Sequence, residues 1–306
     1  MANVWILGGG LIGAGWAAAF VQAGHQVLVI DPDTDATKAR IDATLERVGA
    51  AVGLPDGWTP PQILAAPAGP APDLLQECLP ERLALKQAAL QAVLPHLGAD
   101  TLIASSSSGL SPDDLAAGLE DPGRVFIAHP CNPPWLMPVV ELSGGAQTSP
   151  ATLTRARAFY EAMGKQVLTL NKPMPGHLVN RLQAALWREA VHLAREGVAS
   201  LGDIEAAVTK GLAPRWCIMG PSAVFHVSGG PRGFEGFFDA LAPEFERWWD
   251  SLGQPRFDAQ TRSALVEGMA AADPRSVAEI GADRDRRLPE ILDFLRHQAS
   301  GDTDKA

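Results

Sequence analysis

Residues 3–31 read NVWILGGGLIGAGWAAAFVQAGHQVLVID, and this stretch decides the fold. Asn3–Leu7 is apolar after its first residue and predicts a short buried strand. Gly8, Gly10 and Gly13 follow at once in a Gly-x-Gly-x-x-Gly spacing. From Ile12 onward Ile12, Trp16, Ala19, Phe20 and Ala23 recur at steps of three or four, which predicts a helix that Gly24 stops. Gln26–Ile30 is a second apolar, β-branched run, and it ends on Asp31. Strand, glycine turn, helix and strand make a βαβ unit with parallel strands. Val4 to Ile30 carries no charged residue, yet no basic residues precede it, glycines interrupt it, and Gln22, His25 and Gln26 lie inside it. It is therefore read as a buried unit and not as a membrane span or signal peptide.

A bare glycine spacing can be only a turn, but here a strand precedes it, a helix opens on it and an acid ends the next strand. Such glycines admit the pyrophosphate of a dinucleotide close to the backbone. The helix start at Leu11, Ile12 and Gly13 offers N–H groups and the positive end of the dipole to it. Asp31 is placed to accept from the adenosine ribose hydroxyls and to repel a 2′-phosphate, and no arginine follows before Arg40. NAD is thus expected as the cofactor in preference to NADP.

Working outward, Ala36–Val52 reads as a helix, and Gly53–Asp73, with six prolines, as a loop containing a short helix at Gln62–Ala65. Leu74–Leu79 reads as a strand, Pro80-Glu81 opens a helix to Leu94, and Leu102–Ala104 is a strand before four serines. Val125–Ala128, Val139–Leu142 and Gln166–Leu170 read as further strands, with a helix at Thr152–Met163. The second half is helical: Gly176–Glu196, Ile204–Lys210, Glu235–Leu252, Gln260–Ala271 and Asp285–His297. The expected architecture is α/β, a Rossmann-type doubly wound sheet (residues 1–173) followed by an all-α domain (174–299) and a loose tail (300–306).

The whole-chain numbers fit that picture. The 306 residues are 46% hydrophobic and 20% charged, with a formal net charge of −10, and these values exclude long disorder. An acidic chain without basic runs is expected to bind neither nucleic acid nor an anionic membrane. Cys78, Cys131 and Cys217 are scattered and odd in number, which argues against disulfides and zinc and for a reducing cytoplasm; no metal site is expected.

His129 closes an apolar strand, and Glu141 lies in the next one. An imidazole at a strand end can take a hydroxyl proton, and a carboxylate can orient it and offset its charge. By spacing alone the same residues also read as a strand-end turn histidine and an edge glutamate.

Several segments together resemble the L-3-hydroxyacyl-CoA dehydrogenase superfamily. These are the glycine turn, Glu77-Cys-Leu-Pro-Glu-Arg-Leu-Ala-Leu-Lys86, Ser105 to Leu110, His129 to Asn132, Glu141, and Pro175-Gly-His-Leu-Val-Asn-Arg-Leu182. Gly211 to Trp216, Met219-Gly-Pro221 and Phe225 to Gly230 resemble its short branch acting on free hydroxy acids: L-gulonate 3-dehydrogenase, lambda-crystallin and L-carnitine dehydrogenase. The resemblance implies His129 as catalytic acid/base with Glu141 as its partner. It implies Ser108, Asn132 and Asn180 as groups on the substrate or its reacting oxygen, and Glu81 and Lys86 as contacts of the nicotinamide half of NAD. A homodimer paired through the helical domain and an active site in the cleft between domains are implied as well. His177 stands where an aromatic or apolar residue is usual. Cys131 is a conceivable nucleophile that hydride transfer does not require.

Few cations lie between Asp31 and Ser108, which disfavours an acyl-CoA with its phosphates. Arg215, beside Trp216 in an expected interhelix loop, suits either a bidentate carboxylate or an interhelix salt bridge, and the resemblance favours the carboxylate. The expected activity is NAD-dependent oxidation of a small free 3-hydroxy acid, carnitine- or gulonate-like, to the 3-oxo acid. A 3-hydroxyacyl-CoA dehydrogenase and a non-catalytic, crystallin-like NAD binder are the other readings.

Overall fold

A computed structural model describes residues 1–301, and its chain divides into a first unit, Met1 to Arg181, and a second from Leu182 onward. The first unit is built on one eight-stranded sheet. Its strands are β1 (Asn3–Leu7), β2 (Gln26–Ile30), β3 (Gln62–Leu64), β4 (Leu74–Glu77), β5 (Leu102–Ser105), β6 (Val125–Pro130), β7 (Val139–Gly144) and β8 (Gln166–Leu170). Their order across the sheet is β3-β2-β1-β4-β5-β6-β7-β8. All neighbours are parallel except β6 and β7, which run antiparallel with His129 directly opposite Glu141. The helices of this unit are α1 (Leu11–Gln22), α2 (Thr34–Ala51), α3 (Leu83–Val93), α4 (Pro112–Ala116) and α5 (Pro150–Ala162).

The sheet is apolar on both faces, as a parallel sheet covered by helices must be. Trp5, Leu7, Leu28, Ile30, Leu75, Ile103 and Ile127 pack on one side with Leu90, Val93 and Leu115 of the helices. On α1 every residue from Gly13 to Val21 is buried, so the body of this helix has no solvent face. Its glycines make that approach possible. A Cβ on Gly13 would lie 2.0 Å from the Gly8 carbonyl oxygen, and one on Gly15 would lie 2.5 Å from Pro134. Trp16 and Phe20 are fully buried and stacked, with centroids 5.1 Å apart. Burying such a ring is worth about 1.5–3 kcal/mol.

Several boundaries differ from the sequence reading. Gln62–Leu64 is a strand at the sheet edge beside β2, where a short helix was expected. A single turn after Pro60-Pro61 has little to nucleate a helix, whereas the open edge of β2 offers ready partners. The helix expected from Pro80 begins at Leu83, because Pro80 and Glu81 stay in the turn after β4. The helix expected from Gly176 begins at Val179, because Gly176 (φ 76°) and His177 (φ 48°) are left-handed. Residues 176 to 181 are bonded to the first unit, and by contacts the chain divides after Arg181.

The second unit is all helix among the described residues. It comprises most of α6 (Val179–Arg195), then α7 (Leu201–Ala206), a widened π-type stretch (Ala207–Leu212), α8 (Ala213–Trp216), α9 (Pro221–Ser228), α10 (Phe234–Ala240), α11 (Ala242–Ser251), α12 (Ala259–Ala272) and α13 (Val277–Gly301). One helix was expected over Glu235–Leu252, but Pro243 forces a new start after Leu241. Arg215, expected in a loop, lies in α8. The last helix starts earlier than Asp285 because Ser276 and Glu279 form a reciprocal cap: the Ser276 N–H donates to Glu279 Oε2 at 2.8 Å and the Glu279 N–H to Ser276 Oγ at 3.3 Å. Ser300 and Gly301 belong to α13, and the rest of the expected tail, 302–306, lies outside the described residues. No helix among the described residues is long and apolar enough to cross a membrane.

Candidate active site

The cofactor turn comes first along the chain. Gly8 takes φ 100°, a conformation that favours glycine, and Gly10 caps α1 without a side-chain hydrogen bond. A Cβ on Gly10 would meet nothing within 4 Å, so this backbone faces open space. Uncapped N–H groups at a helix start beside an open glycine are what a diphosphate needs. Leu11 is 61% exposed at the start of that helix. Asp31 Oδ2 accepts from the Gly9 N–H at 2.8 Å and Oδ1 from the Asp33 N–H at 2.9 Å, which fixes the carboxylate beside the turn. Each carboxylate oxygen retains acceptor capacity for a ribose hydroxyl. Arg40, remote in sequence, also reaches the turn and donates to the Gly9 carbonyl at 2.7 Å. The residues present fit an NAD adenosine diphosphate.

The next layer is made by the turns after β4 and β5. Lys86 is 1% exposed, and its ammonium donates to both oxygens of the buried Glu77 (2.8 and 2.9 Å) and to the Leu79 carbonyl (2.9 Å). These three bonds use all its donors and make Lys86 a strut inside the turn. Glu81 remains at the surface. Its Oε1 accepts from Ser107 Oγ (2.5 Å), the Ser108 N–H (3.0 Å) and the Gly109 N–H (2.8 Å). Burial opposes ionisation of this carboxyl, but those bonds and Lys86 hold it below its ordinary value.

The four serines separate cleanly. Ser105 donates to Glu77, Ser106 bonds Trp16, Gln76 and Cys78, and Ser107 donates to Glu81. Ser108 is exposed, and among the described residues its hydroxyl has no protein partner.

The antiparallel register of β6 and β7 sets His129 against Glu141. His129 Nδ1 lies 2.8 Å from Glu141 Oε2, with His129 6% and Glu141 0% exposed. The other oxygen, Oε1, accepts from the Leu178 N–H (2.7 Å) and the Val179 N–H (2.9 Å) at the start of α6. Burial pushes the Glu141 carboxyl up. The bonds from His129, Val179 and Leu178, with the helix dipole, outweigh that and hold it below its ordinary value. An ionised Glu141 only accepts, so the hydrogen between the two groups belongs to His129 Nδ1, and in the neutral ring Nε2 is the nitrogen left to accept a proton. Asn180 Nδ2 is 3.4 Å from that Nε2.

Asn132 is exposed on the loop that follows His129. Lys165, unremarked in the sequence, holds that loop by donating to the carbonyls of Pro134 (2.5 Å) and Met137 (2.8 Å). Burial pushes its ammonium down to about 8. Burial and the Glu141 carboxylate push the Cys131 thiol up, which disfavours a thiolate at this position. His177 is buried, with its ring centroid 4.8 Å from that of His129. Arg215 lies in the second unit, exposed, and among the described residues its guanidinium has no acidic partner.

Comparisons with known proteins match both parts of the chain. The model of the 3-hydroxyacyl-CoA dehydrogenase NAD binding domain matches residues 3–53 and 65–173, and that of the 3-hydroxyacyl-CoA dehydrogenase C-terminal domain matches 176–262. An L-carnitine dehydrogenase of Streptomyces griseus is 39% identical over 95% of this chain and 89% of its own. One from Oceanobacillus iheyensis is 33% identical over 96% of this chain and 98% of its own. Among solved structures, a 5-formyl-3-hydroxy-2-methylpyridine 4-carboxylic acid 5-dehydrogenase shares the fold with a TM-score of 0.80. It is 24% identical and covers 96% of this chain and 98% of its own.

Proposed function

The chain belongs to the 3-hydroxyacyl-CoA dehydrogenase family and is an NAD-dependent oxidoreductase, and from that premise we propose that it oxidises the L-3-hydroxyl of L-carnitine or a closely similar free 3-hydroxy acid. The observation that carries the reading is the buried His129–Glu141 pair at 2.8 Å, with Asn180 at the free imidazole nitrogen. NAD, when bound, supplies a nicotinamide ring that accepts the hydride from the hydroxyl carbon. Gly8, Gly10, the N–H groups of Leu11, Ile12 and Gly13, and Asp31 would hold its adenosine diphosphate, and the Glu81 turn would border its nicotinamide half.

His129 Nε2 takes the hydroxyl proton. Glu141, fixed by two α6 N–H groups, keeps the proton on Nδ1 and offsets the imidazolium charge. The Asn180 amide and the Ser108 hydroxyl donate to the oxygen that becomes the ketone, and Asn132 borders the same oxygen or its neighbour. Arg215, which no carboxylate of the described chain neutralises, is assigned to the substrate carboxylate, with Trp216 beside it in α8. The exposed large apolar side chains of the second unit, such as Trp187, Ile218, Trp249 and Val266, support pairing with a second copy of the chain. Three free cysteines are consistent with work in a reducing cytoplasm.

The test is NADH formation with L-carnitine, L-gulonate, L-3-hydroxybutyrate and 3-hydroxybutyryl-CoA side by side. The largest kcat/KM on L-carnitine is the expected result. A preference for the thioester would overturn the substrate assignment, and no turnover with any of them would overturn the enzymatic reading of the site.

A further inference from the structure

His177 is tied to the site from three directions. Its ring lies against that of His129, with centroids 4.8 Å apart and planes at 43°. Its Nε2 lies 2.9 Å from the Ser107 carbonyl, which can only accept, so Nε2 carries the hydrogen. The residue before it, Gly176, donates its N–H to the Ser108 carbonyl at 2.7 Å. The imidazole thus joins the serine turn, which Glu81 also binds, to the ring that moves the proton.

The backbone at this point is held against its preference. His177 has φ 48°, a left-handed conformation that is uncommon outside glycine, and it stands alone among the described non-glycine residues in adopting it. Strain of this kind persists where surrounding bonds over-determine it, and it concentrates at functional sites. Here the strain turns the ring inward, to 3% exposure, against His129. The remaining nitrogen, Nδ1, is buried with no hydrogen-bond partner. Protonating it would bury an unpaired N–H, so the ring stays neutral. Burial pushes the His177 imidazole below its ordinary value. The Ser107 carbonyl and the nearby Glu141 and Glu81 carboxylates oppose that, and His129 adds to it.

We propose that His177 is a positioning residue for the acid/base step: its neutral ring braces the His129 imidazole, favours it when it becomes cationic, and couples it to the Ser107–Ser108 turn. A neutral aromatic ring beside a forming imidazolium acts as a cation–π partner, and the brace also restricts rotation of His129 about its bond to Glu141. This role rests on the proposed acid/base function of His129.

Two substitutions separate the parts. H177Q keeps a donor for the Ser107 carbonyl but removes the ring. H177F keeps a ring against His129 but removes the donor. We expect kcat to fall about tenfold in H177Q with KM for NAD unchanged, and to fall much less in H177F. A second readout needs no substrate. The downfield proton resonance of His129 Nδ1–H reports its bond to Glu141, and it should broaden or shift in H177Q and persist in H177F. If kcat and the resonance match the wild type in both variants, the proposal is wrong. It is equally wrong if both variants lose the same activity and the same thermal stability with the resonance intact, because His177 then serves the fold alone. H129A keeps the two questions apart. Full activity there would remove the premise, whereas an inactive H129A with an unaffected H177Q would remove only the role of His177.

Discussion

The two units spend their polar residues differently. In the first, charged and polar groups go inside and most are matched: Glu77 with Lys86 and Ser105, Glu141 with His129 and two N–H groups, Gln76 with Ser106 and Tyr160. In the second, Thr261 and Asp285 are the buried polar residues among those described, and Val191, Ile204 and Phe237 the buried hydrophobic ones. Most of its ion pairs, such as Arg232–Asp239 and Arg275–Asp273, lie at the surface, whereas Arg284–Asp285 is partly buried. Buried, over-determined polar networks hold atoms to fractions of an ångström, which acid/base chemistry requires. Exposed aromatic and basic side chains are suited to recognising other molecules. The first unit is therefore expected to own the reaction, and the second to own substrate choice and assembly.

Removing the proton acceptor gives the largest effect. H129A should lose about 10³-fold in kcat, within the usual range for a general base, while NADH binding followed by fluorescence is unchanged. E141Q should approach the same loss, because an amide can present a hydrogen to Nδ1 and so favour the wrong tautomer. Activity close to wild type in either variant would break the assignment of the reaction to the first unit.

The buried ion pair is the next test. K86M leaves the Glu77 carboxylate uncompensated inside the protein and should cost about 3–5 kcal/mol in urea unfolding. Replacing both partners, as in E77L/K86M, should recover most of that loss, since two apolar side chains avoid the desolvation of two charges. R275A removes only the surface pairs with Asp273 and Asp283 in the second unit and should change the unfolding midpoint far less than K86M does. If K86M and R275A behaved alike, the contrast between the units would have no energetic content.

How much of this was legible in the sequence depends on distance along the chain. Asn3 to Asp31 declares itself because strand, turn, helix and acid are consecutive and each element has its own local signal. The His129–Glu141 pair does not, because its geometry depends on β6 and β7 being antiparallel, and nothing in either strand states its partner's direction. The buried ion pair of Lys86 is hidden for the same reason. The spacing of Lys86 from Glu77 says nothing about a carboxylate at a strand end turning inward. Gln62–Leu64 carried too few residues to show a period, and only the open edge of β2 makes it a strand. In the second unit, the break before Pro243 and the Ser276–Glu279 cap were both present in the sequence, but a continuous apolar pattern obscured the first.

Arg215 sharpens the comparison from the other side. R215A should raise KM for the hydroxy acid by about ten- to a hundredfold, the loss of one charge-assisted pair, with KM for NAD and the turnover of a substrate lacking a carboxylate unaltered. A fall in kcat with KM unchanged would place Arg215 in the chemistry and blur the division.

The smallest expected effects are in the pH dependence of stability, and they too should track the first unit. Burial lowers the His177 and His25 imidazoles below their ordinary 6.5, so as pH falls through that value the unfolded chain takes up protons first and stability declines. Glu141 and Glu81 are held below 4.5 when folded, and their contribution is intact at neutral pH and fades only as pH falls from that value through their folded ones. On the alkaline side Lys165 releases its proton at about 8 in the folded protein and 10.5 unfolded, so its contribution to stability rises across that window. Thermal midpoints followed against pH should therefore show two separate acid descents. In H177F the first descent should shrink, because one of the two histidines that drive it no longer titrates. Changing Glu279 or Asp283 of the second unit should leave that first descent in place, since carboxylates held below their ordinary values have no proton to take up near neutral pH. A first descent unchanged in H177F would mean that the ring against His129 accepts protons as readily folded as unfolded, which its sealed, partnerless Nδ1 forbids.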